Sequence, residues 1–323
     1  MKHGRFRGLA TCFLAAMLAV PAMAQDYPNK PVRIVIGLAA GGGIDVITRV
    51  LAQKMTESLG QPVLVENKPG ASGIIATEFV AKAAPDGYTL MMAPSGPMVF
   101  NAVMFAKLPY APTRDFVPIA MAASFPLIAV VSSQSPIRNM RELVDFARAN
   151  PARANYAAST AAFQLTSELL NIQAGIKLEN ISYKGTNESL TAVIAGDVLT
   201  TIADSGPASG AIRGGKVRAL AVTSATRMAA FPEVPTMAEA GFPQLDVQLW
   251  AGLFAPAGTP PAITKKLEDE MARALKSADL LQRFTTLTIN PGGASGAELG
   301  PLMAAEIARW SEVAKKANIK LNN

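Results

Sequence analysis

The stretch Val32-Arg33-Ile34-Val35-Ile36-Gly37-Leu38-Ala39-Ala40-Gly41-Gly42-Gly43-Ile44-Asp45 decides the fold. Val32 to Ile36 is a short, β-branched apolar run, the pattern of a buried strand. Gly41, Gly42 and Gly43 follow as a loop almost without side chains. From Ile44 the apolar period becomes helical, with Ile47, Val50, Leu51, Met55 and Leu59 on one face. A strand, a bare glycine loop and a helix N-terminus in succession expose backbone N–H groups at the positive end of a helix dipole. Such a place suits an anion.

Upstream, Lys2, Arg5 and Arg7 precede an apolar run from Leu9 to Val20, and Ala22-Met23-Ala24 supplies small residues for cleavage. Residues 1–24 therefore read as a signal peptide, and the mature protein is expected in the periplasm. The apolar run is too short for a permanent membrane span. Cleavage removes His3 and Cys12, the single His and the single Cys of the chain. A mature chain of this composition cannot build thiolate or imidazole metal sites, nor Ser–His–Asp or Cys–His catalysis. No metal, no cofactor and no disulfide are expected, so stability must come from a large core. Losing Lys2, Arg5 and Arg7 lowers the net charge from +6 to +3. That is too mild and too evenly spread for nucleic acid, yet it suits an anionic ligand.

Downstream the same unit recurs: short strand, small-residue loop, amphipathic helix. Val63 to Glu66 leads to a helix at Ile74 to Ala83, and Tyr88 to Ala93 leads to Pro94-Ser95-Gly96-Pro97. After Ser124-Phe125-Pro126 come the strand Leu127 to Val131 and a helix from Met140 to Ala149. Asn155 to Ala157 precedes the loop Ala158-Ser159-Thr160-Ala161-Ala162 and the helix Phe163 to Ala174. Ile181 to Lys184 and Val198 to Ala203 are strands around a helix at Asn187 to Ala195; Val217 to Thr223 follows, and Trp250 to Phe254 returns to the first half. The helices Ala262 to Ser277 and Gly296 to Ala317 cover it. Alternating strands and helices imply parallel sheets in an α/β architecture. Two lobes are expected, 25–124 with 247–323 and 125–246, joined by two crossings near Ala123 to Pro126 and Gln244 to Val247. A cleft between them would lie at the carboxyl ends of the strands.

Eight segments in order resemble the periplasmic solute-binding proteins of tripartite tricarboxylate transporters, the Bug-type receptors. They are Tyr27 to Arg33, the Ala40-Gly41-Gly42 loop ending at Asp45, Val65 to Ala71, Pro85 to Leu90, Asp115 to Ile119, Tyr183-Lys184-Gly185, Val234 to Gly241, and Trp250 to Pro260. The resemblance covers essentially the whole mature chain. It implies a two-lobed type II periplasmic binding protein, a monomer with a small carboxylate ligand and integral membrane transporter subunits as partners. The ligand would be a dicarboxylate, tricarboxylate, aromatic acid or acidic amino acid. It also implies two loops acting as pincers, Leu38 to Asp45 and Ala158 to Gln164. The chain departs from its relatives in both loops: Leu38-Ala39-Ala40 replaces an aromatic-Pro pattern, and the second loop is about two residues shorter.

The expected ligand-binding residues are Leu38, Ala39, Ala40, Gly41, Gly42, Asp45, Ser95, Ala158, Ser159, Thr160, Ala161 and Asp204. Each has a plainer alternative. The glycines can simply permit a turn. Asp45 sits in the first helical turn, where an acid caps or favours the dipole, or it accepts from a ligand amino or hydroxyl group. Ser159 and Thr160 are helix caps or donors to a carboxylate, and Ser95 is a weaker instance of the same choice. Asp204 ends a strand, either capping the next helix or facing the cleft. Lys184 reads as a solvated surface residue, Tyr183 as cleft wall, and Trp250 and Trp310 as core.

Three functions compete. The first is a transport receptor that closes on its ligand. The second is an exported carboxylate-processing enzyme or Rossmann-type oxidoreductase, although Gly37 to Gly43 lacks the G-x-G-x-x-G spacing. The third is a sensor that presents the same ligand to a signalling partner.

Overall fold

The computed structural model describes residues 27–319 and 321; the expected signal peptide, residues 1–24, lies outside the described residues. In chain order the elements are β1 (Val32–Ile36), α1 (Gly43–Leu59), β2 (Val63–Asn67), α2 (Ile74–Ala81), β3 (Thr89–Pro94) and β4 (Phe116–Ser132). Next come α3 (Met140–Ala149), β5 (Asn155–Ala158), α4 (Ala161–Ala174), β6 (Glu179–Ser182), α5 (Thr186–Ala195), β7 (Thr200–Asp204), α6 (Ser205–Arg213) and β8 (Val217–Val222). The chain ends with β9 (Gln248–Pro256), α7 (Pro261–Ala274), α8 (Ala278–Leu287), β10 (Asn290–Pro291) and α9 (Gly296–Lys316).

β1 lies between β2 and β3 and is parallel to both. Its side chains alternate between two cores. Val32, Ile34 and Ile36 meet Leu51 and Met55 of α1, whereas Val35 joins the cluster of Met91 and Ala76. Burial on both faces is why the strand reads as an unbroken apolar run. β5 repeats this arrangement between β6 and β7, again parallel, with Tyr156 and Ala158 in one core and Ala157 in the other.

The expectation of parallel sheets holds only for these two strand groups. β4 is antiparallel to β7, β8, β9 and β10, and β3 is antiparallel to β9. The reason is the length of β4. Its Phe116 to Pro126 portion pairs with β9, and its Leu127 to Ser132 portion pairs with β7 and β8, so one strand of 17 residues serves both groups. β9 runs back beside it, with Ser124 opposite Trp250 and Pro126 opposite Gln248. Register shifts between Pro118 and Ala120, Met121 and Ala123, and Ala129 and Val130 mark bulges where the strand bends. A proline in a strand ordinarily marks an edge or a break. Here Pro118 sits beside a bulge and Pro126 at the passage between the groups.

Smaller corrections concern boundaries. The strand expected at Ile181 to Lys184 lies at Glu179–Ser182, two residues earlier. The loop after β3 is a wide helical turn, Gly96–Phe100, continued by Asn101–Met104. α8 is an element that the sequence reading did not include. Trp250 and Trp310 are both buried, and α9 places Trp310 against Phe100 with ring centroids 5.4 Å apart. Among the described residues no helix is long and apolar enough to cross a membrane.

Candidate functional site

The carboxyl ends of β1, β3, β5 and β7 open on one cleft of about 1320 Å³. One wall carries Leu38, Ala39, Gly42 to Asp45, Ser72 and Ser95 to Pro97; the facing wall carries Ala158 to Gln164, Tyr183 and Asp204 to Pro207. Phe125, Leu249 and Trp250, at the passage of β4 and β9, line it between them. Of the expected site residues, Leu38, Ala39, Gly42, Asp45, Ser95, Ala158, Ser159, Thr160, Ala161 and Asp204 come together here. Ala40 and Gly41 are exposed and stand outside the lining. Lys184 is likewise exposed and outside it.

The first loop is braced from behind. Gly41, at φ +88°, donates its N–H to Asp45 Oδ2 over 2.9 Å, so this amide is already spent. The same oxygen accepts from Arg49 Nε at 3.0 Å, and Asp45 Oδ1 accepts from Asn67 Nδ2 at 3.0 Å and pairs with the Arg49 guanidinium at 3.0 Å. Burial alone would disfavour the charge. The hydrogen bonds from Arg49, Gly41 and Asn67 outweigh it and hold the carboxyl below its usual range. Asn67 also donates to the Leu38 carbonyl at 3.1 Å, tying β2 to the loop. Asp45 is therefore a brace, and Arg49 and Asn67 are the supporting residues that pattern reading missed. Asn67 lay in a quoted motif, but only its position opposite Ile36 in the sheet shows what it holds.

α1 begins without a side-chain cap: its N-cap is Gly42, and its first intrahelical bond is Val46 N–H to the Gly42 carbonyl at 3.0 Å. Orphan amides at such an end need an outside partner. The wide turn after β3, Gly96–Phe100, also starts in the cleft without a side-chain cap at Ser95. It is fastened by Tyr110, whose hydroxyl donates to the Pro97 carbonyl at 2.9 Å, and by Asn101, which donates to the Ser72 carbonyl at 3.1 Å.

On the facing wall, Thr160 takes the capping alternative, accepting the Phe163 N–H at 3.4 Å. Ser159 Oγ is buried without a hydrogen-bond partner. Asp204 occupies the N-cap position of α6 but makes no side-chain cap bond; its Oδ2 accepts from Thr186 Oγ1 at 3.2 Å. Burial pushes its carboxyl up to about 6, against the Thr186 hydrogen bond. The walls also touch: Ser205 of α6 reaches Thr288 after α8. The lining residues Thr286 to Ile289 and Ala317 to Ile319 were not expected, because only the tertiary fold brings them to the cleft. Among the described residues no group of His, Cys, Asp and Glu side chains has the arrangement of a metal site.

This geometry has close counterparts among known proteins. Residues 47–319 match the model of the tripartite tricarboxylate transporter family receptor. A solved structure from R. palustris, Rpa4515 with adipate, is 32% identical and superposes with a TM-score of 0.80 over 92% of this chain and 100% of that one. MatC from Rhodopseudomonas palustris with bound malate is 33% identical, with a TM-score of 0.76 over 89% of this chain and 99% of its own. The periplasmic binding protein BugD is 31% identical, with a TM-score of 0.76 over 92% of this chain and 100% of its own. The fold is that of the two-lobed periplasmic binding proteins. The chain belongs to the tripartite tricarboxylate transporter receptor family.

Proposed function

We propose that this chain is a periplasmic receptor that captures a small carboxylate in the cleft and delivers it to membrane transporter subunits. The observation that carries the reading is the uncapped N-terminus of α1 at Gly42, opening on a cleft whose other wall is the Ala158 to Ala161 loop. Carboxylate oxygens would satisfy the orphan amides of α1 directly or through water. Among the described lining residues Arg213 is the one basic side chain, so backbone dipoles supply most of the attraction. Adipate and malate in the related structures support the same ligand class. In this reading residues 25–124 with 247–323 form one lobe and 125–246 the other. Ligand bridges them and favours the closed form.

Native mass spectrometry of freshly purified mature protein would detect a carried-over acid. A thermal-shift panel of adipate, malate, citrate, benzoate and glutamate would test the class. At least one acid is expected to raise the melting temperature. If none does and the native mass equals that of the bare chain, the carboxylate reading falls.

A further inference from the structure

Three carboxylates line the cleft: Asp45, Glu168 and Asp204. Two are spent within the protein. Asp45 braces the first loop, and Glu168 accepts from the Tyr156 hydroxyl at 2.7 Å and from Asn171 Nδ2 at 3.1 Å. Asp204 differs. Among the described residues, the Thr186 hydroxyl on Oδ2 is its one hydrogen bond, no cation pairs with it, and Oδ1 has no partner. The same wall holds two more oxygens without partners, Asn180 Oδ1 and Ser159 Oγ. Asp204 and Asn180 thus leave acceptor oxygens open on this wall, Ser159 adds a hydroxyl able to accept or donate, and the uncapped amides of α1 offer donors from the other. A plain dicarboxylate would satisfy the donors and leave an ionised Asp204 opposed by another acceptor. A ligand carrying an ammonium group beside its carboxylate satisfies both sides.

Building on the carboxylate-receptor reading, we propose that Asp204 is a specificity-determining residue that accepts a ligand ammonium group, so that the receptor selects amino acids over plain carboxylic acids of the same skeleton. The other titratable groups on the elements packed around β7 are engaged elsewhere. Tyr156 of β5 and Glu168 of α4 bond each other, Glu188 of α5 accepts the Lys184 N–H at 3.1 Å, and Arg213 of α6 lies over the Phe231 ring at 5.6 Å; β4 carries none.

The test is titration calorimetry on the mature protein with matched probes: aspartate against succinate, glutamate against glutarate, and phenylalanine against 3-phenylpropanoate. At pH 7.5 the amino member of at least one pair is expected to bind about tenfold tighter or more, the scale of a charge-assisted hydrogen bond. Asp204→Asn, checked for folding by circular dichroism, should abolish this preference while leaving the plain acid at equal or better affinity. Amino-acid affinity in the wild type should rise with pH through the region near 6, as Asp204 ionises. The proposal is overturned if the plain acid binds as tightly as its amino partner, if the preference survives in Asp204→Asn, or if affinity falls with rising pH, the slope of a protonated Asp204 donating to a second carboxylate. If no probe of either kind binds while adipate, malate, citrate or benzoate does, the proposal falls and the carboxylate reading stands; if those acids fail as well, both fall.

Discussion

Ser205 Oγ donates to the Thr288 carbonyl oxygen over 3.1 Å, linking the first turn of α6 to the residue that closes α8. Thr288 adopts a left-handed conformation, φ +56°, which ends the helix and leaves its carbonyl free of the helical ladder. α6 packs on β4, and α8 packs on α1, so this single bond joins the two walls of the cleft. If it belongs to the closed, ligand-bound form, Ser205→Ala weakens binding. One neutral hydrogen bond contributes about 1 kcal/mol, which corresponds to roughly fivefold in affinity. Titration calorimetry with a bound acid is the measurement. Unchanged affinity would show that the bond plays no part in the bound state.

Gly42 offers a cleaner probe of the backbone seat. A Cβ placed there meets nothing nearer than the Ala39 carbonyl oxygen at 3.9 Å, and its φ of −74° suits any residue. Gly42→Leu should therefore keep the fold, with a circular dichroism melt within a few degrees of the wild type. The leucine would fill the space before the α1 amides and reduce carboxylate affinity by about a hundredfold or more, the scale of losing charge-assisted contacts. Normal affinity in a folded variant would remove the α1 N-terminus from the site.

Glu306 on α9 accepts from Trp250 Nε1 at 2.8 Å, beneath the passage of β9. Burial pushes its carboxyl up to about 7, opposed by Trp250 and by the charge of Arg309. A carboxyl raised on folding binds more protons in the native state than in the unfolded one, so it makes stability fall as pH rises from about 4.5 to about 7. Glu306→Gln keeps an acceptor for Trp250 and removes the titration. The variant should lose this fall, with its largest gain over wild type above pH 7 and little difference at pH 4. Parallel melting curves for the two proteins from pH 4 to 8 would contradict the assignment.

The parts of the site that one local unit can build were legible in the chain. The β1–glycine–α1 and β5–small loop–α4 units carry their own strand, loop and helix signals, and ten of the expected residues gather at the cleft. What stayed hidden depends on distance in sequence. Pro126 suggested a boundary before Leu127, because a proline removes a ladder donor. Only the pairing of β4 with strands on both sides of that proline shows that the chain continues through it. α8 carries a local signal, Ser277, Leu280 and Phe284 at cap and helical spacing. Its contribution to the cleft, Thr286 to Ile289, follows from packing against α1 and from no local pattern. The brace at Asp45 was half legible: the capping alternative pointed to it, while Asn67 needed the β1–β2 register.

Gly292 tests how tightly the passage is built. It follows β10, and its N–H donates to the Ala122 carbonyl at 2.9 Å, where β4 carries a bulge between Met121 and Ala123. A Cβ at this position would stand 2.0 Å from the Met121 carbonyl oxygen and 2.5 Å from its carbon. Both are backbone atoms, so no side chain can swing aside, and the strand itself must move. Overpacking of this kind costs about 3 kcal/mol, which lowers the melting temperature of a protein of this size by roughly 5 °C. Gly293→Ala is the matched control, because a Cβ there has nothing within 4 Å. Its effect should stay within about 0.5 kcal/mol. Because the clash falls on the strand that serves both groups, Gly292→Ala should also weaken carboxylate binding, measured below its lowered melting temperature. If the two variants melt together, the passage is looser than its backbone contacts require.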